Sequence, residues 1–205
     1  QRPTEVPMPG LIQPHGGKLV NRVVDAGRAA ELTKEAATLP RINLTAKQSC
    51  DLELIANGGY SPLEGFMGSD DFRSVCTSMK LANGQVWSIP ILLSVTKEQV
   101  PAIGKRVALF APNGVLQGVM TVKESFLHDK KLEIPNVFRT EDSAHPGVAQ
   151  QSARRLGFSV IAGQGFDGAG QVIEPFDEGA YSVNRRFGVS PDAQFRRAGG
   201  GVSAD

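Results

Sequence analysis

A glycine-rich segment in the last quarter of the chain has the spacing of a nucleotide-binding motif. Residues 163–168 read Gly-Gln-Gly-Phe-Asp-Gly and follow the strand-like residues 158–162. In a dinucleotide fingerprint the pyrophosphate binds the N-terminal amides of the next helix, and an acidic residue about 20 positions later binds the ribose. Here residues 171–175 are strand-like and end in proline, and the expected acidic position is Gly188. We therefore predict a hairpin with its turn at Asp167-Gly168 instead of a nucleotide site.

The histidines and cysteines show no spacing typical of a metal or nucleophile site. His15, His128 and His145 are far apart and flanked by loop-like residues, which predicts surface or loop positions. Cys50 and Cys76 form no Cys-x-x-Cys pair and have no neighbouring histidine, so we expect free thiols in a reducing compartment. No Gly-x-Ser-x-Gly element occurs. We therefore assign no catalytic residue, no cofactor-binding residue and no metal ligand to this chain.

The composition excludes several classes of protein. Lys and Arg total 22 and Asp and Glu total 21, a formal charge of +1, so no strong field attracts nucleic acid or an anionic membrane surface. The most apolar run, residues 86–95, contains a proline, and a transmembrane helix needs about 20 apolar residues. The N-terminus is polar and proline-rich without an apolar export signal. We expect a cytoplasmic protein with no membrane span.

Helix signals dominate the first 80 residues. The predicted helices are 26–39 between Asp25 as N-cap and Pro40, 45–56 before Gly58-Gly59, and 69–79. The second opens with a capping box of Thr45 and Gln48, and we expect Cys50 and Leu54 on its buried face. The third has Ser69 as a hydroxyl cap, followed by two aspartates at the positive end of the helix dipole.

Beyond residue 85 the period of the apolar residues changes to two. The predicted strands are 87–95, 107–110 and 115–122. In the first strand the five odd-numbered residues lie on one face, and in the third strand Leu116, Met120 and Val122 do so. Pro90 demotes the first strand to an edge or a bulge, and residues 111–114 form a hairpin turn. This order predicts an α+β fold with a small antiparallel sheet or barrel and flanking helices.

The composition changes after Val148. The first 148 residues hold nine Lys and seven Arg, whereas the last 57 hold six Arg, no Lys and ten of the 23 glycines. Such a break marks a different domain, a flexible tail or a segment of different origin. We predict a flexible segment 1–10, a domain 11–148, and an unassigned Gly- and Arg-rich segment 149–205 that is partly disordered.

Several segments together resemble the N-terminal domain of ATP sulfurylase (sulfate adenylyltransferase). The most specific is Gly59-Tyr60-Ser61-Pro62-Leu63-Glu64-Gly65-Phe66-Met67-Gly68. The others, in family order, are residues 11–21, 39–44, 50–56, 79–84, 87–91, 136–140 and 145–148. Physically these segments look structural, because Gly and Pro shape turns and the aromatic and methionine side chains are expected in the core.

The resemblance implies a PUA-like β-barrel that precedes the catalytic domain of an enzyme joining ATP and sulfate into adenylyl sulfate and pyrophosphate. The full-length family uses ATP and Mg²⁺, whereas this chain is expected to hold no cofactor. The family's catalytic Gln-x-Arg-Asn-Pro-x-His-x-x-His run does not occur, and no histidine follows His145. We therefore expect a truncated, catalytically incomplete member of the nucleotidyltransferase family of sulfate assimilation. Its role would be structural or in oligomerisation.

The expected partners are other copies of the chain or the catalytic domain. The alternative is a stand-alone PUA-like module that binds RNA or protein. The +1 charge and single tryptophan count against nucleic acid, because RNA-binding modules present a basic face with interleaved aromatic side chains.

Overall fold

The computed structural model describes residues 12–153 and 159–168. The helices are α1 (Ala26–Ala36), α2 (Ala46–Asn57), α3 (Ser69–Ser78), α4 (Lys130–Phe138) and α5 (Pro146–Ala153). The strands are β1 (Arg41–Asn43), β2 (Leu93–Val95), β3 (Arg106–Phe110), β4 (Leu116–Leu127) and β5 (Ser159–Gly168). Short 3₁₀ turns occur at His15–Gly17 and Lys97–Gln99. The predicted flexible segment 1–10 lies outside the described residues, and so do residues 154–158 and 169–205 of the predicted segment 149–205.

All five of these strands join one sheet in the order β1-β3-β4-β5-β2. The β1–β3 pair is parallel and the other pairs are antiparallel. The predicted α+β class with flanking helices is confirmed, although the sheet is mixed because of β1. Hydrophobic side chains are buried on both faces of β3, since Val107 and Leu109 belong to the large core cluster and Ala108 to a smaller one with Leu32 of α1.

The turn between β3 and β4 confirms the predicted hairpin, but one side chain is on the unexpected face. Gly114 in the turn has a φ of 84°, a left-handed value that favours glycine. Leu109 pairs with Gly118 whereas Phe110 pairs with Leu116, so β4 contains a bulge. The extra residue reverses the alternation, and Leu116 packs on the smaller cluster instead of sharing a face with Met120.

Residues 163–168 form neither a loop nor a hairpin turn. They belong to β5, where Gly168 pairs with Gly118 and Asp167 with Val119 of β4. The prediction of a turn at Asp167-Gly168 was therefore wrong. The long β4 strand supplies hydrogen-bond partners along this segment, and such tertiary pairing outweighs the local turn preference of Asp-Gly. β5 also lies within residues 149–205, so the change of composition after Val148 does not end the sheet.

The predicted strand 87–95 is mostly irregular. Only Leu93–Val95 pair in the sheet, at its edge, as Pro90 indicated. Ile91, Leu93 and Val95 are buried, but Ile89 is nearly half exposed, so the single buried face predicted for all five residues was wrong. The Trp87 indole donates its N–H to the carbonyl of Ile89, the residue whose backbone Pro90 restricts.

The predicted starts of the first two helices are confirmed. Asp25 accepts a hydrogen bond from Arg28 N at 2.8 Å, and Thr45 and Gln48 form the capping box. Gly58 ends α2 with a φ of 85°. The first helix stops at Ala36, short of the predicted residue 39. Its last turn closes with hydrogen bonds that span three residues instead of four, from Thr38 N to the carbonyl of Glu35 and from Leu39 N to that of Ala36.

α2 buries a mixed polar and apolar face, which is not the face predicted for it. Cys50 is exposed and Leu54 only partly buried, whereas Gln48, Ser49 and Asp51 are buried together with Leu52 and Ile55. We call Gln48, Ser49 and Asp51 the α2 cluster. Gln48 Nε2 donates to the carbonyl of Ser94 at 2.9 Å, and Ser49 Oγ donates to Gln117 at 2.8 Å. These partners on the sheet compensate the loss of hydration.

α3 starts without the predicted hydroxyl cap. Its N-cap residue is Gly68, and Ser69 is already the first helical residue. The Ser69 amide donates to Glu124 Oε2 of β4 at 3.1 Å. A carboxylate from the sheet thus replaces the local cap, while Asp70 and Asp71 stand in the first turn as predicted.

Candidate functional site

A groove of about 530 Å³ opens beside the N-terminus of α3. Its lining comes from residues 62–68, from Asp70 and Asp71, from residues 81–83, and from Lys123 and Glu124. This volume falls within the range of small-molecule pockets. Residues 62–68 belong to the most specific motif in the sequence, so the groove is the first candidate for a functional site.

The motif forms a rigid wall of this groove. Ser61 Oγ accepts a hydrogen bond from Val20 N at 2.9 Å, and Met67 N donates to the carbonyl of Ile91 at 3.0 Å. Phe66 and Met67 are buried in the large core cluster, which confirms the structural interpretation of the motif. Its side chains therefore shape the wall of the groove and anchor it to the core.

Three carboxylates in the groove serve structural contacts. Each is held by an arginine or a backbone amide: Glu64 by Arg22 at 3.0 Å, Asp71 by Ala82 N at 2.8 Å, and Glu124 by Ser69 N. Within residues 12–153 and 159–168, none of the three carboxylates accepts a hydrogen bond from the side chain of a serine, cysteine or histidine. The arrangement provides shape and negative charge but no nucleophile and base.

A second group surrounds Tyr60 on the far end of the same motif. Its hydroxyl donates to Asp51 Oδ1 at 3.3 Å, and Lys47 Nζ lies 2.9 Å from Asp51 Oδ2. Burial, and then the charge of Asp51, raise the pKa of Tyr60. The Tyr60 ring packs edge-on against Trp87 with 5.7 Å between centroids. Tyr60 therefore stays protonated near neutral pH and acts as a structural hydrogen-bond donor.

The histidines occupy three different structural settings. His15 Nε2 lies 2.8 Å from the carbonyl oxygen of Val86, and His145 Nδ1 accepts from Val148 N at 3.4 Å near the start of α5. Both are exposed, as predicted. His128 lies in the loop between β4 and α4, as predicted, but its side chain is buried instead of being at the surface, because it pairs with Glu133 inside the protein. Across residues 12–153 and 159–168, the structure contains no group of three potential metal ligands.

Sequence reasoning missed a buried polar group between β4, α4 and α5. We call His128, Glu133 and Gln151 the α4 cluster. The side chains of His128 and Glu133 are only 2% and 4% exposed and are joined by a short hydrogen bond. Gln151 Nε2 donates to the other carboxylate oxygen at 2.8 Å. The only hint in the sequence is a histidine followed by Asp129, which caps α4 and so turns Glu133 inward.

The two cysteines are free thiols, as predicted. Burial raises the pKa of Cys76 to about 12, and the charges of Glu133 and Asp129 act in the same direction. A thiol with this pKa is not a nucleophile near neutral pH. Cys50 is exposed on α2.

In the part of the chain that the structure describes, no helix has the length and apolar character required to cross a bilayer.

The comparisons with known proteins agree with the motifs. The model of the PUA-like domain family matches residues 12–164. A sulfate adenylyltransferase of Trichormus variabilis is 46% identical over 142 residues, which are 68% of this chain and 36% of that protein. One of Symbiobacterium thermophilum is 43% identical over 139 residues, 67% of this chain and 35% of that protein. The chain therefore spans about a third of the length of these relatives.

A solved structure has the same fold. It is described as a hexameric APS kinase from Thiobacillus denitrificans and matches with a TM-score of 0.59 at 28% identity. The match covers 80% of this chain and 28% of that one. The predicted resemblance to the N-terminal domain of ATP sulfurylase is confirmed, and the chain belongs to the PUA-like domain family.

Proposed function

We propose that this chain is the N-terminal domain of a sulfate adenylyltransferase, which forms adenylyl sulfate and pyrophosphate from ATP and sulfate. Its role is structural: it packs against the rest of the enzyme or against other copies, in the cytoplasm. The main support is the extent of the match, since the stretch that is 46% identical makes up only 36% of the Trichormus variabilis enzyme. ATP, Mg²⁺ and the catalytic residues then belong to the part of the enzyme outside this match.

The chemistry of the described side chains supports this division. The groove carboxylates hold backbone amides or Arg22, and the buried thiol of Cys76 is protonated near neutral pH. Adenylyl transfer requires groups that stabilise charge on the reacting phosphate. The groove instead brings four carboxylates together with a single lysine, Lys123, and this net negative lining disfavours a triphosphate.

The first experiment measures pyrophosphate release by the purified chain with ATP, Mg²⁺ and sulfate, beside a control without sulfate. We expect no sulfate-dependent release. Release that depends on sulfate would contradict a purely structural role.

The second experiment tests the assignment itself. In the Trichormus variabilis enzyme, the stretch that matches is replaced by the corresponding residues of this chain. We expect this chimera to release pyrophosphate in a sulfate-dependent manner, because the two stretches are 46% identical over 142 residues. A matched control carries an unrelated domain of similar size and should be inactive. A folded but inactive chimera would refute the assignment.

A further inference from the structure

The strand β1 stands at one end of the sheet. Among the residues that the structure describes, β3 is the only strand that pairs with β1. The carbonyl of Pro40 and the amide of Leu44 bond to β3, at 2.9 Å and 2.8 Å. Backbone groups alternate between the two edges of a strand, so those of Arg41 and Asn43 point away from β3. An edge of this kind is a template for a further strand.

A cavity of about 620 Å³ lies along this outer edge of β1. It is lined on one side by Pro40, Arg41 and Ile42, and on the other by residues 98–102 and Lys105. Side chains of consecutive strand residues point to opposite faces of a sheet, so a cavity that touches three consecutive residues abuts the edge of the strand. Residues 98–102 follow β2, the strand at the opposite end of the sheet. The cavity therefore lies between β1 and the segment that leaves β2, and its volume is in the range of ligand-binding cavities.

Two cations of the cavity, Arg41 and Lys105, form no ion pair with any carboxylate of residues 12–153 and 159–168. The Arg41 guanidinium lies over the Phe110 ring, 3.8 Å from its centroid, and its Nε donates to Asn43 Oδ1 at 2.7 Å. Stacking and this hydrogen bond orient the guanidinium, whose terminal nitrogens can bind a carboxylate. The cavity thus holds a cation that is positioned before an anionic partner arrives.

One carboxylate, that of Glu98, also lines the cavity. It is exposed, and hydrogen bonds from its own backbone N–H and from the Thr96 hydroxyl lower its pKa. Its charge is therefore stabilised by donors of its own 3₁₀ turn. With two cations and one carboxylate, the lining as a whole is positively charged and favours an acidic partner.

We propose that the outer edge of β1 binds a short, extended, acidic segment of another polypeptide as an added strand. The backbone of the segment pairs with Arg41 and Asn43, and such main-chain hydrogen bonds supply the affinity in strand addition. An acidic side chain opposite Arg41 forms a cross-strand ion pair. The next side chain points to the other face, where Ile42 and Val100 pack in the large core cluster. The segment therefore alternates acidic and apolar residues. This inference does not depend on the proposed function.

The first measurement titrates the 205-residue chain into a fluorescently labelled pentapeptide of alternating glutamate and valine and follows its anisotropy. One control peptide has lysine in place of glutamate, and the other is the acidic peptide with every backbone amide N-methylated. We expect saturable binding of the acidic peptide with a Kd of about 1 mM or below. Both controls should bind about tenfold more weakly, because one reverses the charge and the other lacks the donors of a strand. Absence of binding, or equal binding of the acidic and N-methylated peptides, would overturn the inference.

The second measurement locates the peptide by amide hydrogen exchange, followed by NMR. At saturation we expect exchange of the Arg41 and Asn43 amides to slow by about tenfold or more, because the added strand accepts their hydrogen bonds. The Ile42 amide is the internal control, since it points to β3 with or without the peptide. Equal protection of the three amides, or none, would contradict strand addition. Protection of Arg41 and Asn43 that rises with protein concentration without peptide would show that a second copy pairs there, and the inference would be wrong.

Two variants test the preference for an acidic segment. Arg41→Gln should weaken binding of the acidic peptide about two- to fivefold, the range expected for a cross-strand ion pair, and Lys105→Gln should weaken it less. The matched control is Lys131→Gln, which removes an exposed cation from α4. Because Arg41 also contacts Phe110, circular dichroism checks its fold, and Lys105→Gln tests the charge without that contact. Unchanged binding in both variants, or an equal loss in Lys131→Gln, would overturn the inference.

Discussion

The α2 cluster and the α4 cluster are two ways of burying polar side chains in one small domain. In the α2 cluster Gln48 and Ser49 are neutral, and Asp51 binds both Lys47 and Tyr60. In the α4 cluster a histidine and a glutamate are both almost fully buried.

Two atoms of the α4 cluster, His128 Nδ1 and Gln151 Oε1, are buried without a hydrogen-bond partner among the described residues. Within the described residues, every buried side-chain nitrogen and oxygen of the α2 cluster has a hydrogen-bond partner. The difference teaches that a cluster whose buried polar atoms are all hydrogen-bonded adds specificity at low cost, whereas a cluster with unpaired buried atoms makes stability depend on each of its members.

The largest expected difference is in thiol reactivity, since one cysteine lies beside each cluster. With a pKa of about 12, about 0.01% of Cys76 is thiolate at pH 8. The thiolate fraction falls further as the pH is lowered, because protonation of the thiol is favoured at every pH below its pKa. We expect Cys76 to react with Ellman's reagent about a thousandfold more slowly than exposed Cys50 in the native chain. Both should react readily in denaturant, and equal native rates would contradict the burial of Cys76.

Breaking the α4 cluster should have the largest effect on stability. Glu133→Ala leaves His128 buried without its carboxylate, and we expect a loss of about 3–5 kcal/mol in the free energy of unfolding. Urea unfolding followed by circular dichroism measures it. Glu31→Ala removes an exposed ion pair with Arg28 and should cost about 0–1 kcal/mol. Similar losses in the two variants would show that the buried His128–Glu133 pair contributes no more to stability than the exposed Arg28–Glu31 pair.

A substitution in the α2 cluster should lower the free energy of unfolding by less than Glu133→Ala does. Gln48→Ala removes the hydrogen bond to the Ser94 carbonyl and part of the capping box, with an expected loss of about 1–3 kcal/mol. Urea unfolding followed by circular dichroism again measures the loss. A loss as large as that of Glu133→Ala would show that the two clusters do not differ in their contribution to stability.

The smallest effect is expected at the edge of the α2 cluster. Lys47 is about half exposed, and Lys47→Met should change the free energy of unfolding by about 0–1 kcal/mol at physiological salt. Raising the salt concentration should shrink the difference from the unmodified chain. A larger loss would mean that Asp51 depends on this lysine for its charge.

Local signals were predictable wherever neighbouring residues decide the structure. The caps at Asp25 and Thr45 and the left-handed Gly58 are confirmed, because each involves atoms within one helical turn. The motif around Phe66 and Met67 was correctly interpreted as structural. The candidate groove itself was not predicted, since its walls come from segments up to 62 residues apart, from Pro62 to Glu124.

The errors share one physical cause. The bulge that turns Leu116, the β5 pairing of Asp167 and the Glu124 contact that replaces a cap at Ser69 all depend on a partner distant in sequence. The burial of Gln48 is of the same kind, because its partner Ser94 lies on the sheet.

By itself the sequence determined the caps at Asp25 and Thr45, the turn between β3 and β4, the α+β class and the family, since these depend on local chemistry and on motifs that can be read in order. Only the tertiary structure decided which polar groups are buried, where β5 inserts and that β1 stands at an edge of the sheet. Burial and strand pairing depend on the free energy of contacts between segments that are distant in sequence. The spacing of residues within one segment therefore does not predict them.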